Sequence, residues 1–421
     1  MKNRLACLFL LCSMFSPIAG AEPSDLKKWR ATSGHTVEAK ALQLADGKVQ
    51  LERADGTKVV VALDKFVEED QVALREHFGI EESPGDEGMA EEVPEGEEAD
   101  DLPFPLGSTT EEISCGDDFS YFLYLPKSLR RGAKHPVIFV MSPGGGSKGT
   151  GKRYQGGAER NRWIIAVSKQ SKNGFEGSQS AIDAMIKHVT STLPIDEKRM
   201  YVTGMSGGSR MAFSTSQVHD DMAGVLACGA GGNVGSSKQV VYGLCGSNCF
   251  NRTDMANSFK GFKSKGCLLR YFPGKHVWAG DELCDDGMTH LNGVFLIENE
   301  DDYPAEYAHY VKQVMTLIGE ARESVPMRAC MWTSFLTERK VDAPGLADLH
   351  KALGADPVNE LYVKGLADVS EFAQKQFGTV SASQWKSDPK VSAACKREAG
   401  KYTGTPWEEV LNKMSEDAQK F

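Results

Sequence analysis

A serine between glycines, Gly204-Met205-Ser206-Gly207-Gly208, follows the apolar run Met200-Tyr201-Val202-Thr203 and precedes Ser209-Arg210-Met211-Ala212-Phe213, which has helical character. Strand, sharp turn and helix in that order would hold the Ser206 hydroxyl above a sheet, and glycines allow so tight a turn. The first amides of the helix would face an oxyanion formed next to the serine. Ser206 is therefore a candidate nucleophile for acyl chemistry, with the Gly207 amide as an oxyanion donor. The plain alternative is a glycine-rich turn. With 43 glycines in the chain, the motif needs partners to mean more.

Upstream, Pro136-Val137-Ile138-Phe139-Val140 reads as a buried strand running into Ser142-Pro143-Gly144-Gly145-Gly146. A loop without Cβ atoms lets backbone amides approach a substrate, so Gly144, Gly145 and Gly146 are candidates for the second oxyanion donor. The same loop reads Gly-x-x-x-x-Gly-Lys from Gly146 to Lys152, but Arg153 follows where a phosphate loop has Ser or Thr for magnesium, which argues against nucleotide binding. Downstream, the alternating run Leu268-Leu269-Arg270-Tyr271-Phe272 ends at Pro273-Gly274, and His276 stands on the loop beyond. An imidazole there could take the serine proton and return it to a leaving group. The alternative for His276 is a loop histidine without a role.

Tyr121-Phe122-Leu123-Tyr124-Leu125-Pro126, the 136–146 stretch, the Ser206 turn and His276-Val277-Trp278 together resemble the polyhydroxybutyrate-depolymerase and feruloyl-esterase-like branch of the α/β-hydrolases, over roughly residues 119–280. The resemblance implies a mostly parallel sheet and a serine carboxylester hydrolase acting on an ester substrate. It also implies a Ser–acid–His triad with no metal or organic cofactor. The branch's pattern for the acid ends in Asp-Phe-Asn, and here the run is Cys249-Phe250-Asn251. Only Asp220, Asp221 and Asp254 lie between Ser206 and His276. Asp220 and Asp221 follow the helix of the serine turn too closely and read as solvated. Three readings stay open: Asn248 orients the imidazole through its side-chain oxygen, Asp254 does so from a helix start, or the histidine is unsupported and the triad weakened. On the last reading the rival function is a non-catalytic binding or cell-envelope scaffold that keeps the fold.

Met1-Lys2-Asn3-Arg4, an apolar run to Ile18 and Ala19-Gly20-Ala21 form a signal-peptide pattern over residues 1–21, so a secreted or periplasmic protein with no transmembrane span in its mature form is expected. Eight cysteines remain beyond it, an even number that permits disulfides in an exported chain. Cys245, Cys249, Cys267 and Cys284 crowd the region of His276, where at least one bridge is expected, and Cys330 could join Cys395. Zinc is disfavoured because no paired Cys-x-x-Cys occurs. The formal charge of −10 is local: residues 81–101 hold eleven carboxylates and no Lys or Arg. Residues 81–108 thus read as an acidic disordered linker, and the lack of a basic patch argues against nucleic acid.

Before that linker, residues 22–80 carry Trp29, two Asp-Gly turns (Asp46-Gly47, Asp55-Gly56) and a closing Leu63-x-x-Phe66-x-x-x-Asp70. These residues resemble the Sla-type homology domain, a small SH3-like β-barrel, which implies a protein or peptide ligand. After it, residues 109–302 form the α/β-hydrolase-like domain. Residues 303–421 read as a helical C-terminal region, with helices expected over 307–321, 346–353, 359–377 and 407–420.

Overall fold

The computed structural model describes residues 25–30, 36–45, 48–78, 102–116, 118–130, 132–378 and 388–417. The signal-peptide pattern, the Asp46-Gly47 turn and most of the acidic linker lie outside the described residues. The chain divides into two compact units, Met1–Glu98 and Ala99–Phe421.

In the first unit, β1 (Lys27–Arg30), β2 (Thr36–Ala45), β3 (Lys48–Arg53) and β4 (Lys58–Ala62) form an antiparallel sheet in sequence order, followed by α1 (Glu68–His77). The strands alternate apolar and polar residues, so Ala39, Ala41, Val49 and Leu51 fall on one face. That face buries Trp29 and receives Phe66 and Leu74 from the helical end. Asp55 Oδ1 accepts the Thr57 amide (2.9 Å), and Gly56 takes φ +79°, so the second Asp-Gly turn has the chemistry its residues suggest.

The second unit is built on an eight-stranded sheet. Its strands are β5 (Ile113–Ser114), β6 (Ser120–Tyr124), β7 (His135–Met141), β8 (Ile164–Ser168), β9 (Ile195–Met205), β10 (Gly224–Cys228), β11 (Val240–Gly246) and β12 (Leu268–Phe272), in the order β12-β11-β10-β9-β7-β8-β6-β5. All neighbours from β12 to β8 are parallel; β6 is antiparallel to β8 and β5 to β6. The central strands are apolar without alternation because helices cover both faces. Residues 137–141 of β7 are wholly buried, as are 164–166 of β8. The helices that pack on the sheet are α2 (Gln155–Asn161), α3 (Ser178–Thr192), α4 (Gly207–Val218), α5 (Arg252–Gly261) and α6 (Asp281–Glu298). This is the α/β-hydrolase fold.

Six further helices follow: α7 (Pro304–Ser324), α8 (Pro326–Glu338), α9 (Leu346–Gly354), α10 (Pro357–Phe377), α11 (Pro389–Ala399) and α12 (Pro406–Asp417). Each of α7, α8, α10, α11 and α12 begins at a proline, whose missing N–H costs nothing in a first turn. The expected four helices become six with α8 and α11, of which α8 is buried on most sides and carries little amphipathic stripe. These helices share one core with the sheet, and α10 covers β12, which would otherwise be an open edge.

Candidate active site

The site lies at the C-terminal ends of the parallel strands, where open α/β sheets present their ligand crevices. Strand β9 ends at Met205, paired with Cys228 of β10, and the Ser206 amide donates to the Cys228 carbonyl (2.8 Å). Ser206 then adopts φ 57°, ψ −118°, a conformation that L residues rarely take, and α4 starts at the next residue. The flanking glycines make the turn possible. A Cβ on Gly204 would lie 2.4 Å from the Gly208 carbonyl carbon, and one on Gly208 would lie 2.4 Å from Met141 O. The turn is therefore pressed against the end of β7 from both sides, and only glycine fits there.

Beyond β12, the loop turns at Pro273-Gly274 and brings His276 Nε2 to 2.8 Å from Ser206 Oγ. Residues 70 positions apart in sequence thus meet in the geometry of nucleophile and base. The ring of Phe250 covers the imidazole with centroids 3.8 Å apart, and Gly229, at φ +65°, lets the ring pack against its Cα. Arg153 lies over the Trp278 ring at 4.5 Å, and Tyr154 meets the same ring edge-on. The residue that argued against a phosphate loop therefore braces the wall beside His276.

The other imidazole nitrogen decides between the readings of the missing acid. His276 Nδ1 faces Cys249 Sγ at 3.1 Å. Neither sequence candidate takes that place. The side-chain oxygen of Asn248 accepts from Ser247 Oγ (3.2 Å) and its amide donates to the Gly274 carbonyl, because the β-turn after β11 directs residue 248 towards the loop backbone. Asp254 lies in the first turn of α5, where Arg210 (2.9 Å) and the Gly231 amide (3.2 Å) hold its carboxylate. Hydrogen bonding from the Cys245 thiol and from His276, opposed by burial, pulls the Cys249 thiol down to about 6. Burial pushes Cys245 well above its ordinary value. The sequence did carry the signal for Cys249, since it occupies the position of the pattern's aspartate; residue type alone hid it.

Of the four oxyanion candidates, two are already engaged. Gly145 donates to Ser142 O (3.0 Å) and Gly146 to Ser168 O (3.0 Å), so neither amide points at the serine. Gly145 takes φ +85° to make that turn. The bridge between Gly144 and Lys172 runs through the Asn173 amide to Pro143 O (2.9 Å), which leaves the Gly144 amide as the loop's candidate. Gly207 opens α4, so its amide is among those without an intrahelical acceptor.

Solved structures resembling part of the chain include FphF, a fluorophosphonate-binding serine hydrolase of Staphylococcus aureus (13% identity, 44% of this chain and 99% of that one, TM-score 0.37). A ferulic acid esterase (14%, 42% and 94%, 0.35) and the acetyl xylan esterase of Aspergillus awamori (14%, 37% and 80%, 0.30) also resemble it. A comparison with curated proteins finds no match. Residues 19–81 match the family of SLA1 homology domain 1, SHD1. The chain carries an SHD1 domain. Within the SHD1 domain, Trp29 Nε1 donates to Ala39 O (2.9 Å), which satisfies the one polar atom of a buried indole. Arg30 clasps Asp70 through its amide (2.6 Å) and guanidinium (3.1 Å). The tryptophan and the closing aspartate of the sequence signature are thus structural members of the SHD1 domain.

The cysteines require a correction. All eight beyond the signal-peptide pattern are free thiols, so no bridge braces the His276 loop and Cys330 is not joined to Cys395. Cys330 is buried on α8, and Cys395 is buried on α11 within the apolar core. Among the described residues no group of three His, Cys, Asp or Glu side chains could hold a metal ion, and no helix is long and apolar enough to cross a membrane.

Proposed function

We propose that the chain is an exported serine carboxylester hydrolase working through an acyl-Ser206 intermediate. The observation that carries the reading is the 2.8 Å contact of Ser206 Oγ with His276 Nε2, on a strained strand-to-helix turn at the C-terminal edge of a parallel sheet. Ser206 Oγ attacks the ester carbonyl carbon while His276 Nε2 takes its proton. The carbonyl oxygen becomes an oxyanion that the Gly207 and Gly144 amides face. The C–O bond to the alcohol breaks as His276 returns the proton to the departing oxygen. Water then repeats the cycle on the acyl-serine and releases the carboxylic acid. The basic-apolar-small start of the chain supports export, and the SHD1 domain supports binding to a protein or peptide ligand.

Hydrolysis of p-nitrophenyl acetate, p-nitrophenyl hexanoate and methyl ferulate by mature protein, beside Ser206→Ala, tests this. Turnover is expected from the wild type and not from the variant. Equal rates from both, with folded protein, would transfer the fold to a non-catalytic scaffold role.

A further inference from the structure

We propose that Cys249, as a thiolate, orients His276 in the place where serine hydrolases of this fold use a carboxylate, so that the catalytic constellation is Ser206–His276–Cys249. The inference rests on the hydrolase reading above and concerns how its base is held.

The argument begins with proton positions. For His276 Nε2 to accept the serine proton, its neutral ring must carry hydrogen on Nδ1, and that N–H needs an acceptor. The group 3.1 Å from Nδ1 is the Cys249 sulfur. A neutral thiol there would donate to Nδ1, leaving the hydrogen on Nε2 and aiming the wrong tautomer at Ser206. A thiolate accepts from Nδ1, fixes the productive tautomer and places a negative charge beside the imidazolium that forms during attack.

Burial opposes the thiolate, and two features of the pocket favour it. Cys249 is wholly buried on the loop after β11, which gives the sulfur one fixed position relative to the imidazole. The alternative acceptor for a thiol proton, Gly229 O, is farther away at 3.7 Å and already takes Asn251 Nδ2–H at 2.9 Å. The neighbouring Cys245 thiol, wholly buried with Gly246 O at 3.6 Å, and His276 both lower the Cys249 pKa. The other titratable groups around this pocket are Cys228 from β10, Tyr271 from β12 and Arg252 from α5. Burial holds Cys228 and Tyr271 in their protonated forms, while the Arg252 cation favours negative charge at the neighbouring Cys245. Asp254, the carboxylate nearest in sequence, is turned away to Arg210.

The active form is the one with the Cys249 thiolate beside a neutral imidazole. The rate should therefore rise with pH. A carboxylate in place of the thiolate holds no proton in the neutral range, so Cys249→Asp should move the rising limb to lower pH.

The experiment measures kcat and KM for p-nitrophenyl acetate from pH 5 to 9.5 with mature wild type, Cys249→Ser and Cys249→Asp. Thermal melts confirm folding, and absorbance near 240 nm reports the thiolate. Cys249→Ser is expected to lose about 10² to 10⁴ in kcat with KM nearly unchanged, the scale of losing the orienting anion of a triad. Cys249→Asp is expected to keep most of the rate, with its limb moved to lower pH. The thiolate absorbance present in the wild type at pH 7 should be missing from Cys249→Ser. Folded Cys249→Ser with wild-type kcat and an unmoved pH profile would overturn the proposal and leave the hydrolase reading intact. Absence of turnover in the wild type would sink the hydrolase reading instead. The 240 nm titration then decides the pair alone, and a Cys249-dependent signal appearing only above about pH 8.5, where a free thiol ionises, overturns it.

Discussion

Two polar clusters sit in the second unit, and they are built on opposite principles. At the strand ends, Ser206, His276 and Cys249 form a line with one contact at each imidazole nitrogen, starting from a strained backbone. Beneath α8 and α10, Asp286 is wholly buried and accepts from Arg270 (2.7 Å), Arg328 (2.9 Å) and Trp332 (3.2 Å), while Arg270 also donates to Tyr362 (2.6 Å). The second cluster joins β12, α6, α8 and α10, and its charges are paired on every side. The carboxylate held best in this unit therefore serves the fold. The site itself makes do with a sulfur. A saturated ion cluster resists change, whereas a base must be free to exchange a proton, so the sparse cluster is the one suited to chemistry.

The largest expected effect separates the two clusters outright. Ser206→Gly should abolish ester hydrolysis, a loss of about 10⁶ in kcat if the serine acts as nucleophiles of this type do. It should also raise stability by about 1 kcal/mol, because glycine accepts positive φ without strain. Kinetics and urea melts on one preparation check both halves. Asp286→Ala should do the reverse. It leaves the buried Arg270 guanidinium without its anion, while Arg328 keeps Asp285 and Glu282. It should cost about 3–5 kcal/mol in stability, with turnover per folded molecule at low temperature kept. If Asp286→Ala lowered kcat without lowering the melting point, the division between the clusters would fail.

Smaller changes sharpen the picture of the backbone around the serine. Gly145→Ala should destabilise by about 1–3 kcal/mol, since residue 145 has φ +85° and a Cβ would lie 2.6 Å from Lys169 O. Gly144→Ala meets nothing within 4 Å and should melt like the wild type. A further effect concerns acid stability near the second cluster. Burial holds the pKa of His290 down to about 4 from its ordinary 6.5, with Nε2 bonded to Gly266 O (2.7 Å). The unfolded chain takes up a proton near pH 6.5 that the folded one refuses until about 4, so stability should fall as pH drops through that window. His290→Asn should flatten this dependence, and melts from pH 7 to 4 would show it.

The serine turn was legible in the sequence because every part of it is local: an apolar strand, glycines where the backbone must pass closely, and a helix start. His276 was legible from its order and its Pro-Gly turn. Asn248 and Asp254 misled because they were chosen by residue type, and cysteine was weighed as a bridge partner or a zinc ligand. The expected disulfides failed for a similar reason. Counting cysteines says what could pair, while strand register and helix packing settle which sulfurs face one another. Helix α8 was missed because its burial comes from contacts on several sides, which blurs the amphipathic stripe, whereas α11 carries a clear stripe at Val391, Cys395 and Ala399.

What the sequence determined by itself was therefore the pattern written in short segments: the Ser206 turn, the His276 loop, the strand pattern of the sheet and the Trp29 and Asp-Gly signature of the SHD1 domain. Tertiary structure alone decided which group completes the site. His276 is brought to Ser206 across 70 residues and to Cys249 across 27 by strands β9, β11 and β12 ending on one edge of the sheet. Hydrogen-bond partners depend on distances of a few ångströms between segments remote in the chain, and those distances exist only once the sheet has set its register.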